Sequence, residues 1–257
     1  MAASTFAEYD SSLTMKVSVF KKIWAQTSGY TGASAKQGRL RAWFAYPERD
    51  QSRGEEIANS ISHGIALVAA LVGMPFLVMH ALKHGDPGFV AGVYVFSTTM
   101  IVLYLLSTLY HALAIGKAKQ LFKVIEHSAI FLLIAGTYTP FTLGVLKGAW
   151  GWSLLIVVWC LAIGGVVLKI FVKGNHPGLS TALYLVMGWL ALIAIEPLFT
   201  RIPAPGVLWL FAGGLSYTAG VIFFLTDSRL RYGHLIWHLF VIAGTTCHYF
   251  AVLGYAA

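Results

Sequence analysis

Charged residues are what this sequence most lacks. Asp, Glu, Lys and Arg make up 11% of its 257 residues, while 58% are hydrophobic; an ordinary soluble domain is about one quarter charged. With a mean hydropathy of +0.72, the chain has neither the composition of a disordered segment nor that of a soluble domain. Cysteine is nearly absent. Its two copies, Cys160 and Cys247, sit inside apolar runs, which excludes a disulfide framework or a cysteine-rich zinc module and leaves them as small packing residues. Acidic residues are also few, 10 against 18 basic ones, for a net charge of +8. That excess does not indicate nucleic acid, because the basic residues punctuate apolar segments and form no stripe interleaved with aromatics.

What the chain does have is a series of long hydrophobic runs. Seven windows, near 61–82, 88–112, 125–146, 150–172, 179–200, 205–226 and 233–256, are long enough to cross a bilayer. Backbone polar groups in hydrocarbon must be satisfied internally, and runs this long and uniform do not suit barrel strands, so helices are predicted. The fold expected is an all-α integral membrane protein: a seven-transmembrane-helix bundle over residues 54–257, preceded by a basic extension, 1–53. Fifteen lysines and arginines fall before the first span or in the loops after the second, fourth and sixth. Only Lys83, Lys147 and Arg201 fall on the other side. The positive-inside rule then places the N-terminus in the cytoplasm and the C-terminus outside, in the cytoplasmic (inner) membrane. In the extension, Leu13, Val17, Phe20 and Trp24 recur at helical spacing, which suits either a short amphipathic helix on the anionic leaflet or a basic disordered tail. Lysines interrupt any apolar stretch there, so it is not a signal peptide. The last span holds no lysine for a retinal Schiff base.

Ionisable groups in or at the ends of spans are costly and therefore informative. The seventh span opens with His234-Leu-Ile-Trp-His238, and the second ends with Ser107-Thr-Leu-Tyr-His111. Each pair is spaced i, i+4 and shares a helix face. The third span begins with Glu126 and His127, and the approach to the first carries Glu56, Asn59 and His63. The alternating directions of the spans bring all of these to the same membrane face, within one or two helical turns of its boundary. His80, His84 and Glu196 fall near the opposite face. His248 lies fourteen residues past His234, about 21 Å along the helix, and cannot join the same site. The His234–His238 pair alone reads as an interfacial cap or as two metal ligands. With His111 and a nearby carboxylate it matches a catalytic zinc site whose fourth ligand is water. Glu56, Asn59 and His63 read as juxtamembrane capping and helix packing.

Taken together, Glu56-x-x-Asn59-x-x-x-His63, Ser107-x-x-x-His111, the stretch from Glu126 to Pro140 and His234-x-x-x-His238 resemble the hemolysin III family. That family is the bacterial branch of the progestin and adiponectin receptor (PAQR) proteins and is related to alkaline ceramidases. The resemblance runs from about residue 50 to the C-terminus. It implies zinc held by His111, His234 and His238, with Ser107 and the acid at Glu126 completing the site. The chain departs from the family's more usual aspartate at the Glu126 position.

Such a site would hydrolyse an amide or ester. Glu126 would serve as the general base, and Ser107 would orient His111 or donate to an oxyanion. Its level in the membrane points to a membrane lipid, ceramide-like by analogy, entering from the cytoplasmic leaflet. Two rival readings are a non-enzymatic receptor or lipid sensor with a structural zinc, and a pore-forming hemolysin. The spans offer no continuous polar row for the latter.

Overall fold

The computed structural model describes residues 49–84, 86–171 and 177–257. The possible amphipathic helix at Leu13–Trp24 lies outside the described residues, as does Lys173. Among the described residues there is no strand, and seven helices are long and apolar enough to cross a membrane. The first four spans are α1 (Arg53–His84), α2 (Pro87–Ala112), α3 (Lys117–Leu143) and α4 (Ala149–Phe171). The fifth is broken into α5 (Pro177–Gly188), a 3₁₀ turn (Leu190–Ala194) and α6 (Ile195–Arg201). The sixth and seventh are α7 (Ala204–Thr226) and α8 (Gly233–Tyr255). Successive helices pack on one another, and α8 returns to lie against α1, so the first and last spans are neighbours.

Hydrophobic residues face outward as well as inward, as a hydrocarbon solvent requires. On α1, Ile57, Ile61, Ile65, Val68, Val72 and Phe76 are exposed, while Ala66, Ala70, Leu77 and Ala81 pack inside. Inside the bundle, small residues let helices approach closely. A Cβ on Gly92 of α2 would lie 2.5 Å from the Pro140 Cα of α3.

Helices α1 and α3 begin about two turns earlier than their apolar windows, because their first turns stand clear of the hydrophobic stretch. Local chemistry sets the start of α1. Ser52 and Glu55 form a reciprocal capping box in which the Glu55 N–H donates to Ser52 Oγ (3.4 Å) and the Ser52 N–H to Glu55 Oε2 (2.9 Å). Capping therefore falls to Glu55, and its neighbour Glu56 is released for another role. At the opposite end of the bundle Asp86 caps α2, accepting from Gly88 N (2.9 Å) and Phe89 N (3.3 Å) just ahead of Pro87 at the first helical position.

The break in the fifth span exposes backbone groups that hydrocarbon cannot solvate, and side chains of neighbouring spans take them up. The Tyr138 hydroxyl lies 2.8 Å from the Met187 carbonyl and 2.9 Å from that of Gly188, and it accepts from the Ala191 N–H at 3.0 Å. Trp189 Nε1 donates to Thr218 Oγ1 (3.0 Å), tying the break to α7.

Candidate metal centre

Three helix ends meet at one end of the bundle: the start of α1, the end of α2 and the start of α8. Glu55 holds two of them together. Besides capping α1, it accepts the Tyr232 N–H (2.9 Å) at the entrance to α8. Tyr232 has φ +60°, a left-handed conformation that a bulky residue rarely adopts. This contact holds the strained turn and sets the angle at which α8 departs. One residue further along, Glu56 turns to α2, where its carboxylate accepts from His111 Nδ1 (2.8 Å) and pairs with Lys119 (3.0 Å).

With these helix ends fixed, His111, His234 and His238 converge. Their ring centroids are 4.8 to 5.1 Å apart, and one nitrogen from each falls within 4.8 Å of the others. All three side chains are buried. Each Nδ1 faces an oxygen: His111 meets Glu56, His234 meets Asp227 Oδ2 (3.1 Å), and His238 meets Ser62 Oγ (3.1 Å). The Ser62 hydroxyl already donates its proton to the Asn59 carbonyl (2.8 Å), so the proton between Ser62 and His238 belongs to the imidazole. A carboxylate likewise only accepts. All three rings therefore carry their proton on Nδ1 and present a lone pair at Nε2, and these Nε2 atoms are buried without a hydrogen-bond partner. Oxygen atoms that fix the ring tautomer and orientation are what ligating histidines need behind them. The group could hold a metal ion, and the chemistry of its donors fits one.

His63 joins the cluster. Its ring stacks on that of His238 at 3.6 Å and meets Tyr104 edge-on at 5.1 Å. Ser107, one turn before His111, is fully buried with an unpartnered hydroxyl, and the position that would orient His111 is taken by Glu56. Of the nine unpartnered buried side-chain N and O atoms among the described residues, six belong to His63, Ser107 and the three-histidine group. Glu126 of α3 is buried with Oε2 2.9 Å from His127 Nδ1. It lies outside the set of candidate ligands but interacts electrostatically with His63, His111 and His234. His248 is not part of the group, nor are His80 and Glu196.

Two cavities approach the centre. A polar one of about 290 Å³ is lined by Glu56, Lys119, His127, Asp227 and His234. An apolar one of about 90 Å³ is reached by Glu126 and His63 and walled by Leu103, Leu133, Tyr184 and Trp237.

Sequence reasoning did not anticipate the roles of Glu56, Ser62 and Asp227. Asp227 carries a signal in hindsight, being the one acidic residue after Glu196 and standing seven positions before His234. Glu56 falls on the same membrane face in the sequence, but nothing local pairs it with His111, or Ser62 with His238, because those partners lie 55 and 176 positions away.

The profile of the family described as "Haemolysin-III related" matches residues 51–249, a stretch that contains every residue of this centre. The chain belongs to the haemolysin-III related family. Within it, the chain is 46% identical over 201 residues to Hemolysin-3 of Bacillus cereus, covering 78% of this chain and 91% of that one. It is 45% identical to the Hemolysin-3 homolog of Bacillus subtilis (strain 168), covering 78% and 94%. The human monocyte to macrophage differentiation factor is 27% identical over 210 residues, covering 78% and 84%, consistent with a PAQR relationship. No solved structure matches. Seven apolar helices and this membership make the chain a multi-pass integral membrane protein of the bacterial inner-membrane type.

Proposed function

We propose that this haemolysin-III related protein is a zinc-dependent hydrolase of a lipid amide or ester, with its centre at the cytoplasmic leaflet. The observation that carries the reading is the set of three buried imidazoles, each with Nδ1 committed to an oxygen and Nε2 without a partner. Three nitrogen donors without a thiolate suit zinc in a site that keeps one position for water. Bound there, zinc would supply a Lewis acid and bring the pKa of a water to about 7.

The chain's own residues supply the rest. Glu126, through the oxygen that His127 does not engage, takes the proton of the attacking water and returns it to the leaving nitrogen or oxygen. The Ser107 hydroxyl, uncommitted within the protein, donates to the developing oxyanion. Glu56, Asp227 and Ser62 keep the histidine rings oriented. The apolar cavity receives an acyl chain, while the polar one admits water and a headgroup. The end of the bundle with the histidines is also the end with Arg49, Lys119, Lys123, Arg229 and Arg231, which supports its cytoplasmic orientation. A reporter active only outside the cytoplasm should work when fused after Ala257; silence there would reverse the topology.

The decisive measurement is fatty-acid release from a panel of N-acyl and O-acyl lipids by wild type and Glu126→Gln, each assayed for zinc. The variant should keep its metal and lose about 10² to 10⁴ in rate. Undiminished activity in the zinc-replete variant would remove Glu126 from the mechanism and favour a receptor or sensor with structural zinc. Activity surviving complete zinc removal would end the metallohydrolase reading. A pore is disfavoured because the buried carboxylates and all the buried histidines but His248 gather at one end, while the cavities further along the bundle are walled mainly by apolar side chains.

A further inference from the structure

The apolar cavity beside Glu126 does not stop in the middle of the bundle. A second apolar lobe of about 100 Å³, walled by Phe141, Leu146, Leu198 and Phe211, continues toward the opposite end. The two lobes share Thr137, Tyr138, Gly188, Trp189, Gly214 and His248, so they adjoin at these residues, the waist of an elongated apolar channel. The polar side chains at this waist are committed, with one exception. Thr137 Oγ1 donates to the Leu133 carbonyl, Tyr138 is engaged by the backbone of the broken span, and Trp189 donates to Thr218.

His248 is the exception. Its Nε2 lies 3.3 Å from the Leu210 carbonyl, which can only accept, so the ring proton resides on Nε2 and Nδ1 carries a lone pair. Nδ1 is buried without a partner, in a side chain that is 9% exposed. The nearby hydroxyls of Thr245 and Tyr217 have no proton to give it. Thr245 Oγ1 donates to the Val241 carbonyl (2.8 Å), so the Tyr217 hydroxyl beside His248 must donate to Thr245 (2.8 Å). The ring is also seated closely, since a Cβ on Gly213 would come within 2.5 Å of Nε2. A buried acceptor without a donor is costly, and an apolar side chain would line the cavity without that cost.

We propose that His248 is a specificity-determining residue of this channel, and that the ligand is a lipid whose acyl chain carries a hydroxyl near its middle. The inference rests on the reading that the channel receives an acyl chain whose carbonyl lies at the histidine centre. His248 is ten residues beyond His238, about 15 Å along the helix, which corresponds to a position partway down such a chain. The donor must be neutral, because an ammonium at this depth would be strongly disfavoured. A keto group does not suffice, since it only accepts. An alcohol O–H meets both conditions.

Ricinoleate and oleate differ by one mid-chain hydroxyl and serve as probes. Equilibrium binding of each, radiolabelled, to the purified full-length protein in nanodiscs should favour ricinoleate about 3- to 10-fold, the effect of one neutral hydrogen bond. His248→Phe should equalise the two, and His248→Gln, which retains an acceptor, should restore part of the preference. Equal affinities in wild type, a preference that survives in His248→Phe, or no saturable binding of either probe would each overturn the proposal; the wild-type comparison requires no variant to fold. Binding is read without turnover. Equal affinities alongside intact zinc content and fatty-acid release would overturn this inference alone, whereas a retained preference without hydrolysis would overturn only the hydrolase reading.

Discussion

The two ends of the bundle use similar residues in opposite ways. At one end Asp86 caps α2, pairs with Lys147 and remains partly exposed; Arg201 completes the arrangement by donating to the Lys147 carbonyl (3.2 Å). Asp86, Lys147 and Arg201 each have a partner and access to water. At the other end three histidines are buried behind the partly exposed carboxylates of Glu56 and Asp227, and each ring is satisfied on one nitrogen and left without a partner on the other. The first end resembles ordinary helix-end chemistry, in which a polar group satisfies the backbone. The second leaves its donors half used in a place where that is expensive, which is the mark of a site and not of a cap.

Breaking this contrast should have its largest effect at the histidines. Alanine at His111, His234 or His238 should abolish stoichiometric zinc in the purified protein, whereas His248→Ala should leave it at about one per chain. Equal zinc content in all four variants, measured by elemental analysis, would remove the assignment. A smaller effect is expected one layer out. Glu56→Gln keeps the size of the side chain but weakens its hold on His111 and should lower zinc affinity about 10- to 100-fold, as read by competition with a chelator; unchanged affinity would reduce Glu56 to helix packing. The smallest effect belongs to the opposite end, where Asp86→Ala should cost about 1 kcal/mol of thermal stability, the usual worth of an N-cap, with zinc affinity untouched. The Lys147 ammonium, aided by the Phe89 and Gly88 N–H groups, holds the Asp86 carboxyl below its ordinary range. Its contribution is therefore fully present above the unfolded carboxylate pKa of about 3.9 and is lost as pH falls through the lower folded value. An Asp86→Ala melting difference that stays constant across that acid window would contradict the account.

Much of this molecule is legible in its sequence because hydrocarbon tolerates so few solutions. Runs of apolar residues long enough to span must be helical, so the span count and approximate windows follow from composition. The alternation of spans brings the residues near Glu56, His111, Glu126 and His234 to one face. What the sequence does not reveal is which atom faces which. Glu55 and Glu56 are adjacent and chemically alike, yet one caps α1 and clasps Tyr232 while the other supports His111. That division depends on how three helix ends pack, and no local spacing encodes it. The break in the fifth span is equally hidden. Within the run 179–200, Gly188 and Pro197 are the only helix breakers and do not by themselves place it, and the Tyr138 hydroxyl that makes the break tolerable comes from another helix.

The meeting of α1 with α8 has a bearing on biogenesis. A ribosome delivers these two spans at opposite ends of its task, yet Glu55 finds the Tyr232 N–H, and Ser62 finds His238, only when both are present. A chain stalled after its sixth span would hold one of the three imidazoles, His111, and a first helix whose carboxylate clasp has nothing to grip. On the proposed zinc reading, capture of the ion would report that synthesis and insertion have been completed, and a truncated product would identify itself by failing to acquire it.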